Sequence, residues 1–171
     1  KYHTNFAVFG SRDYETNAAV ATIVGGAPLE VKRVTLNGKA YPIEWVTPST
    51  WRVYFPISAG SNGVQVQSWD LKGNEIASMT TNLVIRSTGV EADPRGQIVI
   101  NEINYNPVFP ETSYVELFNA STNATFDLSG WNFDGLNYVF PVGTIMRPGQ
   151  FLVLAKDRVV LTRMLGSGVP I

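Results

Sequence analysis

Apolar residues in this chain recur at every second position. In Trp51-Arg52-Val53-Tyr54-Phe55-Pro56-Ile57, the set Trp51, Val53, Phe55 and Ile57 shares one face. In Tyr41-Pro42-Ile43-Glu44-Trp45 the inward set is Tyr41, Ile43 and Trp45. A period of two belongs to a strand with one face on a core and the other in water. Turn signals separate these runs. Asn37-Gly38 tolerates positive φ at both residues and predicts a type I′ hairpin. Asn62-Gly63 precedes Val64-Gln65-Val66-Gln67, and Lys72-Gly73-Asn74 divides Trp69 from Ile76. Short strands with turns about every ten residues are those of a β-sandwich.

A sandwich needs apolar residues to seal its layers, and 44% of these 171 residues are hydrophobic against 16% charged. That length suits one large or two small domains. The formal net charge of −1 gives no global attraction to nucleic acid or to an anionic membrane, and no nucleic-acid partner is expected. No run of about 18 apolar residues is present to form a spanning helix. With no Cys, no disulfide or thiolate metal site can form. That absence suits both the cytosol and bacterial secretion. Lys1 stands where an initiating Met would, so the chain reads as a piece of something longer. Arg86 to Gln97, RSTGVEADPRGQ, is polar and aperiodic and reads as a break. The expected organisation is a domain over 1–88, a linker over 89–96 and a second domain over 97–171, neither half a polyelectrolyte binder.

In the second half, Ile98 to Pro107 and Tyr114 to Phe118 read as strands. The apolar residues of Phe126-Asp127-Leu128 and Trp131-Asn132-Phe133 change parity across Ser129-Gly130. A corner at Gly130 is expected to turn Trp131 inward. Arg147-Pro148-Gly149-Gln150 matches a type II turn. Phe151 to Ala155 reads as a strand buried on both faces. Asp157 is placed to cap a short helix whose apolar face carries Val160, Leu161, Met164 and Leu165, with Gly166 at its exit. The expected structural core includes Trp51, Leu128, Trp131, Phe133 and Phe151.

The run IVINEINYNP, then YVELFN, then DLSGW, then FPVGTIMRPGQFLVLAKD, resembles a lamin tail domain of the bacterial type, over about 75 residues from Ile98 onward. The resemblance implies an immunoglobulin-like β-sandwich. It also implies a large secreted or surface-attached bacterial protein, with hydrolase, nuclease or spore-coat-kinase-like modules alongside. VTLNG, W-x-V-x-F-P, N-G-V-x-V and D-x-x-G-N in the first half are similar to companion sandwich domains. Family members continue past the short helix with further strands. The resemblance therefore implies that the last strands are missing at Ile171, to be supplied by the rest of the protein or by a neighbouring chain.

Reactive groups are sparse. His3 is the only histidine and lies in a terminus, so no Ser-His-Asp arrangement forms without it. Glu102 and Glu116 make a carboxylate pair of the kind glycosidases use, although such residues also bond backbone amides or face water. Asp70 with Asn74, and Asp134 with Asn132, offer oxygens to Ca²⁺, yet neither run matches the twelve-residue calcium loop and Asx turns explain both. Among the aromatics, Trp69 does not share the face of Val64 and Val66 and is the candidate for exposed ligand or sugar contact. Arg147, Lys156, Arg158 and Arg163 cluster in sequence, as a phosphate-binding patch or, more simply, a solvated face. Asn119-Ala-Ser121 and Asn123-Ala-Thr125 are glycosylation sequons in form and mark a surface loop.

The sequence therefore predicts an all-β chain of two tandem immunoglobulin-like sandwiches with no catalytic residues, cofactor or metal. Its expected work is spacing, surface attachment, or binding of a protein or glycan partner within a large extracellular bacterial protein. The alternatives are a carbohydrate- or calcium-binding accessory module of a secreted hydrolase, and a hydrolase fragment using Glu102 and Glu116.

Overall fold

The computed structural model describes residues 5–166, so His3 lies outside the described residues. The strands are β1 (Ala7–Val8), β2 (Asp13–Thr16), β3 (Val20–Gly26), β4 (Arg33–Leu36), β5 (Ile43–Thr47), β6 (Thr50–Pro56), β7 (Gly60–Trp69) and β8 (Thr81–Ser87). They continue as β9 (Ile98–Asn104), β10 (Tyr114–Asn119), β11 (Phe126–Asp127), β12 (Asn132–Phe133), β13 (Tyr138–Val139), β14 (Ile145–Met146) and β15 (Phe151–Ala155). One α-helix, α1 (Arg158–Leu165), follows. Among the described residues the chain is all-β apart from this helix and two single 3₁₀ turns. It divides into two compact units: Lys1–Glu91 with Asp127–Ile145, and Ala92–Phe126 with Met146–Ile171.

In the first unit, two four-stranded sheets ordered β1-β3-β6-β5 and β2-β8-β7-β4 form a sandwich. Alternation in β6 sends Trp51, Val53 and Phe55 into its core, where they meet Ile23, Val34, Leu36, Val64, Val66, Leu83 and Ile85. Trp51 is fully buried, with Phe6 stacked at 5.9 Å. Its cross-strand partner is Gly25. A Cβ at Gly25 would fall 2.3 Å from the indole, so only glycine admits the ring. The Asn37-Gly38 hairpin forms as the sequence predicts: φ is 51° and 74°, and Leu36 and Lys39 exchange both backbone hydrogen bonds.

Two expectations for this unit fail. Asn62-Gly63 lies inside β7 and makes no turn. The Asn62 side chain instead staples the preceding loop, accepting from the Ser58 amide and donating to the carbonyls of Ser58, Gly60 and Ile85. Trp45, expected inward, is 43% exposed. It pairs with Trp51 across β5 and β6, but β5 is an edge strand that shifts register between Trp45 and Thr47.

The segment Asp127–Ile145 groups with this unit, and its Gly143 lies against Pro42. Gly130 adopts φ 75° in a tight turn closed by the Trp131 amide on the Leu128 carbonyl. The corner exists, yet it buries Leu128 and Phe140; Trp131 is 40% exposed and Phe133 half-buried. Strand β12 pairs only with the two-residue β13, so no wide sheet covers the tryptophan.

The second unit holds a three-stranded sheet ordered β15-β10-β9. Val115, Leu117 and Asn119 alternate inward along β10. Phe151, expected in the core, is 39% exposed because β15 is an edge strand on which only Val153 is buried. The turn at Arg147–Gln150 has Gly149 at φ 70° and the Gln150 amide bonded to the Arg147 carbonyl, as a type II turn requires. Asp157 caps α1 by accepting from the amides of Val159 and Val160 at 2.9 and 3.0 Å. Asp157→Ala leaves those donors unpaired and is expected to cost about 1 kcal/mol. Faster amide exchange confined to the first turn of α1 is the check. Unchanged exchange would show that packing of the buried Leu161, and no cap, holds the helix.

Candidate functional site

The densest group of polar side chains in the second unit arises from a broken alternation. On β9, Ile98, Ile100 and Ile103, two apart and then three, pair with the buried Asn119, Leu117 and Val115 of β10, although Ile100 and Ile103 are themselves exposed on this edge strand. The register between β9 and β10 shifts correspondingly at Glu116/Leu117. This bulge places both Asn101 and Glu102 opposite Glu116. The side chains meet on one face. Asn101 Nδ2 donates to Glu116 Oε1 at 2.7 Å, and the Tyr114 hydroxyl donates to Glu102 Oε1 at 2.7 Å. The same face continues through Phe118 and Phe151, paired across β10 and β15 with ring centroids 4.5 Å apart.

The exposed Glu102 and the partly exposed Glu116 are thus brought together as direct cross-strand neighbours on one sheet face. Glycosidic cleavage needs two carboxylates flanking a bond from opposite sides, one with a proton to give. Here both rise side by side from one face, each accepting a hydrogen bond. The hydrogen bond to Glu102 holds the phenolic proton and pushes the Tyr114 pKa up to about 12, with burial and the two carboxylate charges adding to the effect. Because the folded pKa lies above the ordinary 10, this stabilisation is fully present below pH 10. It is lost as pH rises from there through 12. Glu102→Gln removes the charged acceptor. It is expected to bring the Tyr114 ionisation back toward 10 in a tyrosinate absorbance titration; an unmoved titration would mean the pair does not form.

The other sequence candidates disperse. Trp69 is half-buried: its indole N–H donates to Thr35 Oγ1 at 2.9 Å, and the Arg33 guanidinium covers one ring face at 4.7 Å. Asp70 accepts from the amides of Lys72 and Asn74, each at 2.8 Å, and from the Asn74 side chain. The Asn74 amide leads the donors that hold its carboxyl below the usual range. This is an Asx turn, with its oxygens already engaged. Asp134 accepts from the adjacent Gly135 amide. Among the described residues, no three His, Cys, Asp or Glu side chains converge as a metal site would require.

Lys156, Arg158 and Arg163 do not form one patch. Lys156 pairs with Glu111 at 3.1 Å, while Arg158 and Arg163, five positions apart on α1, point about 140° from one another. A largely apolar recess of about 470 Å³ lies between α1 and the Pro110–Thr112 turn, lined by Phe109, Thr112, Val160 and Met164. Glu111, paired with Lys156, and Arg163 supply its only charged groups. No helix among the described residues is long and apolar enough to cross a membrane.

One residue escaped the sequence reading altogether. Asn119, taken as part of a surface loop, is fully buried at the end of β10. Its side chain donates to the carbonyls of Ala124 and Met146 at 2.9 and 3.0 Å and accepts from the Ser121 amide at 3.0 Å. It therefore fixes the loop that leads into β11 and ties that loop to β14. The bulged first strand, Asn-terminated second strand, Leu-Ser-Gly corner and Pro-Gly turn all fall within residues 91–166, which match a family model.

This part of the chain is a lamin tail domain. Lamin tail domains have an immunoglobulin-like fold, in keeping with the all-β architecture. Among solved structures, the Bacteroides ovatus mixed-linkage glucan utilization locus protein SGBP-B, in complex with a mixed-linkage heptasaccharide, aligns at 11% identity and a TM-score of 0.29, covering 92% of this chain. The chain spans 45% of the length of that structure. No curated protein matches the sequence.

Proposed function

We propose that the chain is a non-catalytic interaction module of a larger extracellular bacterial protein, serving spacing, surface attachment or partner binding. The observation that carries this reading is the placement of Glu102 and Glu116. They lie side by side as cross-strand neighbours on one sheet face, each accepting a hydrogen bond, from Tyr114 and Asn101 respectively, instead of flanking a cleft from opposite sides. Incubation with activated 2-fluoro glycosides followed by peptide mapping tests it. The reading predicts no adduct on either glutamate, and a glycosyl adduct on Glu116 or Glu102 would refute it.

A second reading, carbohydrate binding, is favoured by the same face. Stacked Phe118 and Phe151 give apolar area beside carboxylate, amide and phenol groups, a combination suited to C–H and hydroxyl contacts of a sugar. Calcium has less support, since the Asp70 oxygens are already bonded. Affinity electrophoresis in polysaccharide gels checks the sugar reading: retardation that Phe151→Ala abolishes supports it, and retardation indifferent to Phe151 removes it. We also propose, as the sequence suggests, domains over 1–88 and 97–171 joined at 89–96, with partner strands able to add at open sheet edges. Protease cleavage within 89–96 that releases two folded pieces is the expected result.

A further inference from the structure

We infer that Asn123 is an acceptor for N-linked glycan added to the folded chain, and that the neighbouring sequon at Asn119 is closed to it. The inference rests on the extracellular reading above, since transfer from lipid-linked oligosaccharide to protein takes place on the non-cytoplasmic side of the membrane.

Both sequons place a hydroxyl residue two positions after the asparagine, as the transferase requires. The fold separates them by the state of the reacting atom. In Asn119 the amide nitrogen is committed to two carbonyls, of Ala124 and Met146, in a fully buried site. The hydroxyl of its sequon, on Ser121, is also buried and engaged, with the amides of Asn123 and Ala124 bonded to its oxygen. Opening that site means breaking the bonds that close the loop. Asn123 shares those bonds through its backbone amide and through both backbone groups of Ala124, but its side chain differs. It is exposed, at a bend in an irregular loop, and its amide nitrogen has no hydrogen-bond partner among the described residues. Only its Oδ1 is used, accepting from the Ser121 hydroxyl at 3.3 Å. That contact leaves the nitrogen uncommitted, and Thr125, which completes the sequon, is partly exposed.

The transfer is a substitution at the sugar. Asn123 Nδ2 forms a bond to the anomeric carbon of a lipid-diphosphate-linked oligosaccharide. The carbon–oxygen bond to the diphosphate breaks, the lipid diphosphate leaves with the electron pair, and a base on the transferase takes one amide proton. No oxidant or reductant is needed.

The test incubates the purified folded chain with an oligosaccharyltransferase and lipid-linked donor, then maps glycopeptides. A synthetic peptide spanning 114–130 serves as the unfolded control. The expected result is one glycan on the folded chain, at Asn123, lost in Asn123→Gln, with both asparagines modified in the peptide. Glycan at Asn119 of the folded chain, or an unmodified folded chain beside a modified peptide, would overturn the assignment. The extracellular reading is tested separately by fractionating the source cells. Protein confined to the cytoplasm would sink that reading while leaving the acceptor result in vitro intact.

Discussion

Trp51→Ala is expected to destabilise the first unit by about 3–5 kcal/mol. The indole is fully buried near the start of β6, faces Gly25 across the strand pair and stacks on Phe6. Its removal empties the space that Gly25 exists to leave, and a backbone cannot collapse into a hole lined by paired strands. In urea the midpoint should fall by about 2 M if the slope stays near 1–2 kcal/mol/M. The indole nitrogen is itself buried without a partner among the described residues. Trp51→Phe therefore deletes an unpaired donor, whose burial costs about 1–3 kcal/mol, along with some volume. The phenylalanine variant should keep more than half of the stability that alanine loses. An alanine variant within about 1 kcal/mol of the parent would show that Trp51 is not the centre of this core.

The second large effect lies at Asn119. Asn119→Ala is expected to cost about 3–5 kcal/mol, because two carbonyls and one amide in a buried site lose their partner together, at roughly 1–3 kcal/mol each with partial relaxation. Asn119→Asp keeps the acceptor for the Ser121 amide but sets a carboxylate against the carbonyls of Ala124 and Met146, so it should not rescue. Chemical denaturation measures the loss, and hydrogen exchange locates it: the Ser121 and Ala124 amides should lose protection before those of β10. A cost under about 1 kcal/mol would mean that water replaces the asparagine amide without penalty.

These two residues show what the sequence could and could not reveal. The Trp51 run was legible because alternation is local, and Asn37-Gly38, Pro148-Gly149 and Asp157 were legible because each acts within four residues of itself. Asn119 was not, since one of its partners, Met146, is 27 positions away. Its sequon pattern suggested surface for a side chain that is interior. Trp45 and Phe151 failed for another reason. Both sit on edge strands, and whether a second layer reaches an edge is a property of the whole fold. The bulge at Asn101–Glu102 had a visible signal in the three-residue step from Ile100 to Ile103, which also explains why Glu102, Glu116 and their two partners share a face.

The most direct measurement is release of reducing ends from a panel of polysaccharides, with the parent chain compared against Glu102→Gln and Glu116→Gln. The Tyr114–Glu102 and Asn101–Glu116 pairs on one sheet face predict no turnover above buffer for all three chains. Turnover by the parent that either substitution abolishes, with the fold intact by circular dichroism, would contradict the assignment of this surface to binding and architecture.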